Sequence, residues 1–403
     1  MTVAPAHAAS EHRTSVLGLF LIFLKLGVTS FGGPIAHLGY FRAEFVERRK
    51  WLTDSAYADL VALCQFLPGP ASSQVGIAMG LFRGGLPGAV AAWLGFTLPS
   101  AVALVLFGQV LTGLGGDAPG GWLHGLKVVA VAVVAQALWG MGKSLCPDRA
   151  RASVAVAAAV LAGSMPGVLG QIGVIVAGGV VGWRWLPVSA SLPHSPLPVR
   201  LRKRTGVLML GVCLALLLLL PALAAQGAYA LRLFDGFYRA GALVFGGGHV
   251  VLPLLQAEVV PPGWISEDMF LAGYGAAQAV PGPLFTFAAY LGAVSTQSPN
   301  GWIGAGIALA GIFLPAFLLV IGALPLWERA RRHPAMQRAM LGVNAAVVGL
   351  LLAAFYQPVW SSAILSAADF ALAATAFLML VFWRVPPWLV VVACAVVAAL
   401  GWR

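Results

Sequence analysis

The apolar residues of this chain come in runs too long for any soluble core. Gly84–Gly115 and Val207–Ala225 carry no Asp, Glu, Lys or Arg, and about 20 apolar residues suffice for a helix to cross a bilayer. In lipid, every backbone N–H and C=O must find its partner inside the structure, which favours helices for uninterrupted runs of this kind. With 60% of residues hydrophobic and 9% charged, too few charges remain to clothe a soluble surface. The expectation is an all-α polytopic membrane protein.

The net charge of +11 does not point to nucleic acid. Lys and Arg sit in short clusters between apolar runs, as cytoplasmic loops require. Cys64, Cys146, Cys213 and Cys394 are scattered without paired spacing, so no disulfide framework, metal site or cofactor is expected. The first apolar run carries Lys25 and lacks a small-residue cleavage site, and is read as a retained membrane segment.

The chain also repeats itself. Phe23–Gly33 reads FLKLGVTSFGG and Phe237–Gly247 reads FYRAGALVFGG, an offset of 214. Lys25 then matches Arg239, Phe31-Gly32-Gly33 matches Phe245-Gly246-Gly247, and Glu44 matches Glu258. One residue is lost after that. Trp51-Leu-Thr-Asp54 answers Trp264-Ile-Ser-Glu267, and Gln65-Phe-Leu-Pro68-Gly69-Pro70 answers Gln278-Ala-Val-Pro281-Gly282-Pro283, both at 213. Gly95 and Pro99 match Gly311 and Pro315 at 216. An ordered series with small drifts marks two homologous halves. The division is 1–185, a cytoplasmic linker 186–205, an extra transmembrane helix 206–229, and 230–403.

Loop charges orient the halves oppositely. Arg42, Arg48, Arg49 and Lys50 follow the first FGG, whereas the matching stretch holds Glu258, Glu267 and Asp268. Farther on, Gly115–His124 has no Lys or Arg, while Trp327–Arg338 has four Arg. Opposite bias implies inverted topology, with Val207–Ala225 supplying the flip.

Thr53–Phe66 and Ala71–Phe82 are each too short to span, and Pro68-Gly69-Pro70 breaks the chain between them. They read as a re-entrant hairpin, repeated by Met269–Ala279 and Leu284–Thr296. Expected full spans are Leu86–Leu114, Trp122–Gly142, Ser153–Gly163, Gly167–Trp185, Val207–Ala225, Trp302–Pro325, Met336–Tyr356, Ala363–Trp383 and Trp388–Trp402.

These paired elements resemble the chromate ion transporter family in its long, two-domain form. The resemblance rests on F-x-K-L-G-x-x-S-F-G-G-P at Phe23–Pro34, the Phe245–Gly247 copy, Glu44 and Glu258, and both Q-x-x-P-G-P motifs. It implies transport of chromate across the inner membrane, as efflux giving chromate resistance, with sulfate as the look-alike alternative. The second half departs where Val244 replaces Ser30 and Gly248 replaces Pro34, suggesting unequal work.

A tetrahedral dianion in a membrane needs donors and positive potential. Helix starts supply both through free amides and the helix dipole. Each Pro-Gly-Pro ends one helix and starts another, so Gln65, Pro68, Gly69, Pro70 and Gln278, Pro281, Gly282, Pro283 are candidate substrate contacts. Ser72, Ser73 and Gln74 add donors behind the first motif, and Thr286 adds one behind the drier second. The alternative is a kink that only shapes packing. Lys25 and Arg239 are either cations flanking the anion path, or snorkelling residues, or partners of Glu44 and Glu258. Phe31, Gly32, Gly33, Phe245, Gly246 and Gly247 either break the helix sharply or let helices approach. Glu44, Glu258 and His249 are candidates for ion coupling, though a histidine satisfying a neighbour is the plainer reading of His249.

Gly140-Met-Gly142-Lys143-Ser144 falls short of a nucleotide-binding loop and follows a helix, not a strand. An intramembrane enzyme would need clustered acids or histidines, and Asp54, Asp59 and Asp369 are dispersed.

Overall fold

A computed structural model of the chain describes residues 14–113, 120–165, 167–187, 197, 201–245, 248–327 and 333–401. The elements among them are helices of α, 3-10 or π type, with no strand. Five are long and apolar enough to cross a membrane. The molecule is an all-α polytopic membrane protein.

In the first half α1 is Val16–Thr29 and α2 is Gly33–Arg42, the latter running into a π turn at Ala43–Arg48. Then come α3 (Asp54–Phe66), α4 (Ala71–Gly113), α5 (Gly120–Leu145), α6 (Arg149–Ser164) and α7 (Val168–Trp185). After α8 (Lys203–Ala225), the second half has α9 (Tyr229–Leu243), a 3-10 turn at Gly248–Val250, α10 (Val251–Val259) and α11 (Glu267–Ala277). A 3-10 turn at Leu284–Thr286 leads into α12 (Phe287–Val294), followed by α13 (Gly301–Ala323), α14 (Pro334–Ala354), α15 (Ala367–Val381) and α16 (Pro387–Ala399).

Matched residues build matched geometry. The Thr53 hydroxyl caps α3 by accepting from the Ala56 N–H at 3.2 Å, and the Ser266 hydroxyl caps α11 by accepting from the Met269 N–H at 3.3 Å. Before each cap stands a left-handed residue, Lys50 (φ 54°) and Gly263 (φ 73°). The N–H groups of Trp51 and Leu52 converge on the Phe45 carbonyl, and those of Trp264 and Ile265 on the Val259 carbonyl. The residue lost from the alignment falls between these anchors. The first half holds its extra residue in the π turn, which is what the wider i→i+5 ladder accommodates; the second half ends α10 at Val259 and turns there.

α4 is two antiparallel helices that reverse at Gly85, whose φ of 65° and ψ of −156° are not helical. A side chain on Gly80 would run into the Gly88 carbonyl, and one on Gly88 into that of Gly80. Gly292 and Gly304 make the same mutual contact between α12 and α13. Close crossings also recur. A Cβ on Gly95 would stand 2.5 Å from the Phe20 carbonyl of α1, and one on Gly311 2.8 Å from the Phe234 carbonyl of α9. Small residues that let backbones touch are the usual means of helix association in lipid.

The ends of the halves are interlocked. α5 packs against α15 and α16, while α14 packs against α6 and α7. Gly125 of α5 faces the Cys394 carbonyl, and Gly342 of α14 faces the Gly178 carbonyl. The four-helix ends were expected to be full spans, and three of them fall short. The helices holding Ser153–Gly163, Ala363–Trp383 and Trp388–Trp402 have 16, 15 and 13 residues. At ~1.5 Å per residue none reaches ~30 Å; each lies instead in a short hairpin laid on a helix of the other half. α8 sits at the periphery, with Leu208, Leu214, Leu218 and Leu219 exposed and Gly206 set against Gly322 and Pro325 of the α13 end. Most of the expected linker, 188–196 and 198–200, lies outside the described residues.

Candidate functional site

The first FGG motif ends α1 and starts α2. Gly32 and Gly33 have φ of 97° and 76°, the left-handed region that glycine enters without strain. A side chain on Gly33 would meet nothing within 4 Å, so here the motif serves the break and not close approach. Gly246 and Gly247 lie outside the described residues; Val244 ends α9 before them, and half-buried Phe245 packs on the large core cluster. Phe31 lies against Trp388 of α16, ring centroids 6.5 Å apart.

Both Pro-Gly-Pro motifs break their helices, and both central glycines are left-handed, Gly69 at 117° and Gly282 at 99°. Each loop reaches across to the opposite half. The Gly69 N–H donates to the Val244 carbonyl at 2.6 Å, and the Gly282 N–H donates to the Ser30 carbonyl at 3.0 Å. Gly69 and Gly282 are matched positions, as are Ser30 and Val244, so the two bonds are counterparts. Pro34 and Gly248, also matched, face each other directly. A Cβ on Gly248 would stand 3.2 Å from the Pro34 ring, which gives the departure at this position a steric reason. The crossed loops differ from expectation in one respect. Pro lacks an N–H and the two glycine amides are engaged across the halves, leaving the first-turn amides of α4, from Ala71 onward, as its free donors.

Around this crossing the first half is the more polar. Ser30, His37, Ser72, Ser73 and Gln74 are all buried. His37 Nδ1 and the Ser72 hydroxyl are 3.4 Å apart, and Gln74 Nε2 donates to the Pro68 carbonyl at 2.7 Å. Ser30 Oγ, His37 Nε2, Ser73 Oγ and Gln74 Oε1 have no hydrogen-bond partner among the described residues. In the second half the Thr286 hydroxyl is spent on the Pro283 carbonyl at 2.8 Å. The two motif glutamines differ as well: Gln65 is exposed, whereas Gln278 is half-buried with its Nε2 unpartnered. Sequence reasoning passed over Ser30 and His37 as ligands; only their buried, unpartnered polar atoms mark them.

The matched cations part company too. Arg239 donates to Glu258 at 2.7 Å and faces Asp235 at 3.2 Å. Lys25 is exposed and makes no ion pair among the described residues, while Glu44 is held by Arg48 at 2.9 Å and Arg49 at 2.6 Å. The pairing alternative therefore holds for Arg239 and not for Lys25. Asp235 was not singled out from sequence, although its i,i+4 spacing to Arg239 was a readable signal. His249 Nδ1 bonds the Tyr274 hydroxyl at 2.8 Å, the plainer of its two readings.

A family model described as chromate transporter matches residues 17–183 and again 231–399. The chain is 29% identical over 349 residues to a chromate transport protein of Pseudomonas aeruginosa, covering 83% of this chain and 78% of the relative. It is 28% identical over 353 residues to a chromate transport protein of Cupriavidus metallidurans, covering 83% and 80%. An uncharacterised transporter of Bacillus subtilis is 35% identical over 130 residues, 32% of this chain but 71% of that relative, which is thus about the size of one half. No solved structure matches. With the family model laid once on each half, and the crossed loops joining those halves at matched residues, the chain belongs to the chromate transporter family and is a transporter, not an enzyme.

Proposed function

We propose that this protein carries chromate outward across the inner membrane, conferring chromate resistance, with the anion bound where the two Pro-Gly-Pro loops cross the two helix breaks. The observation that carries the reading is the reciprocal pair of bonds, Gly69 to Val244 and Gly282 to Ser30. They join the breaks of both halves at one place, where inverted-repeat transporters gather discontinuous helices around substrate. Beside them, the buried Ser30 and Ser73 hydroxyls and the Gln278 amide have hydrogen-bonding capacity that no group among the described residues uses. The positive end of α4 adds first-turn amides from Ala71 to Ser73, and Lys25, on the neighbouring helix, adds a cation with no ion pair among the described residues.

A dianion entering here gains hydrogen bonds where water is scarce. The same bonds that clasp the loops are the natural pivots for exposing the site to either side. The opposite loop charges, the matched contacts and the intervening α8 support an inverted arrangement of 1–185 and 230–403. Chromate is favoured over sulfate because the relatives are chromate transport proteins; charge and shape alone do not separate the two anions.

The test is uptake of labelled chromate and sulfate into everted and right-side-out membrane vesicles. Chromate accumulation in everted vesicles, reduced by Ser73→Ala and Gln278→Ala at unchanged abundance, is the expected result. Wild-type half-saturation in both variants would remove the crossing from the path, and sulfate uptake without chromate uptake would replace the substrate.

A further inference from the structure

The charges around Arg239 do not balance. Asp235 and Glu258 have side chains only 5% and 7% exposed, and both face the single guanidinium of Arg239, itself 23% exposed. Asp235 Oδ1 has no hydrogen-bond partner among the described residues. Fully ionised, the cluster would hold one uncompensated negative charge inside a membrane protein, which costs several kcal/mol. A single bound proton removes that charge and gives the second carboxyl a donor.

Among the described residues nothing nearby offers another counter-charge. α13, packed along α9, has no ionisable side chain. α10 contributes Glu258 alone. On α8, Cys213 receives the Tyr238 hydroxyl through its carbonyl at 2.9 Å, while Lys203 and Arg204 are exposed at the helix start. On α9 itself Arg232 is exposed and the Tyr229 hydroxyl bonds Ser295. Of the elements touching α10, α11 has Asp268 bonded to Lys127 and Glu267 in its first turn, its Tyr274 bonds His249, and Arg184 of α7 and Arg338 of α14 are exposed.

We infer that Asp235, Glu258 and Arg239 form a proton-binding site, in which the two carboxyls share one proton that is taken up and released in step with transport. The sharing follows from the geometry, because both acids converge on one guanidinium. The link to transport follows from place. Arg239 lies five residues before Val244 on the same helix, about 7–8 Å along it, and Val244 receives the Gly69 N–H of the crossed loop. Losing the proton restores the unbalanced charge, loosens α9 from α10, and so bears on that clasp. The matched position of the first half cannot do this: Leu21 stands where Asp235 would be, and Glu44 is taken by two arginines.

Proton occupancy is read without any substrate, from the carboxylic-acid C=O stretch in infrared spectra of the full chain in nanodiscs, titrated through neutral pH. Wild type is expected to show one titrating band. Asp235→Asn and Glu258→Gln are each expected to abolish it, because the remaining carboxylate and Arg239 already balance. Asp369→Asn, on a capping carboxylate elsewhere, should leave it in place. A band that survives both single variants overturns the site, as does a band lost from only one of them. Coupling is read separately, as chromate uptake into proteoliposomes with and without an imposed pH gradient. Both variants should lose the gradient response and keep chromate exchange at equal concentrations. A retained gradient response would overturn coupling, whereas loss of chromate exchange in wild type would instead strike at the substrate assigned above.

Discussion

Two helices of this protein, α1 and α9, have nearly the same geometry and very different electrostatics. Each crosses a long apolar helix through a glycine in the same register, Gly95 on Phe20 and Gly311 on Phe234. Each ends at a C-cap carbonyl, Ser30 or Val244, that receives a glycine amide from the opposite loop. Yet α1 carries an exposed, unpaired Lys25 beside buried serines, and α9 carries an Arg239 locked between two acids. Backbone packing was kept in both halves while the polar groups were divided, one half presenting buried hydroxyls and the other holding a charge cluster. Shared geometry lets the two halves meet at matched residues; unequal chemistry makes the two sides of that meeting place different.

The comparison assumes that the halves face opposite sides, and labelling can break it outright. Single cysteines replacing Glu47 and Pro262 should react with an impermeant thiol reagent from opposite faces, all or none. Labelling of both from one face ends the inverted arrangement.

Next in size is the contrast between the cations. Arg239→Gln leaves Asp235 and Glu258 buried against each other, and removing one partner of a buried ion pair costs about 3–5 kcal/mol. Its thermal unfolding in detergent should drop sharply. Lys25→Gln should unfold like wild type and instead raise the half-saturation concentration for chromate severalfold, with Lys25→Arg milder because the charge survives. Equal stability losses in the two glutamine variants would erase the distinction between α1 and α9.

The glycine crossings predict sameness where the cations predict difference. Gly27→Ala would place a Cβ 2.7 Å from the Gly95 carbonyl, and Gly241→Ala would drive one into the Ile312 carbonyl. Overpacking of this kind costs about 1–3 kcal/mol, so both variants should lower the unfolding temperature, Gly241→Ala more. Smallest is the difference between the glutamines. Gln278→Ala should weaken chromate uptake modestly and Gln65→Ala less, measured as half-saturation at matched abundance, because only Gln278 has a buried unpartnered amide.

Much of the local architecture was readable because glycine and proline act on their own backbone. Pro68-Gly69-Pro70 and Pro281-Gly282-Pro283 break helices where the sequence places them, and Gly32-Gly33 takes the break of its two readings. The spans at the ends of the halves were less legible. Apolar stretches of 13 to 16 residues look like spans in hydropathy, and only their seat on α5 and α14 reveals short hairpins. The candidate site divided in the same way, since its motifs were visible and its unpartnered atoms were not.

From sequence alone came the membrane class, the two matched halves, the opposite loop charges and the positions of the helix breaks, because each depends on composition or on the conformational limits of a few adjacent residues. Tertiary structure decided which amide meets which carbonyl across the halves, that Pro34 faces Gly248, that Arg239 is paired while Lys25 is not, and that Asp235 completes the cluster. These rest on contacts between residues far apart in the chain, or on burial that removes water from a polar atom, and neither is written in local spacing.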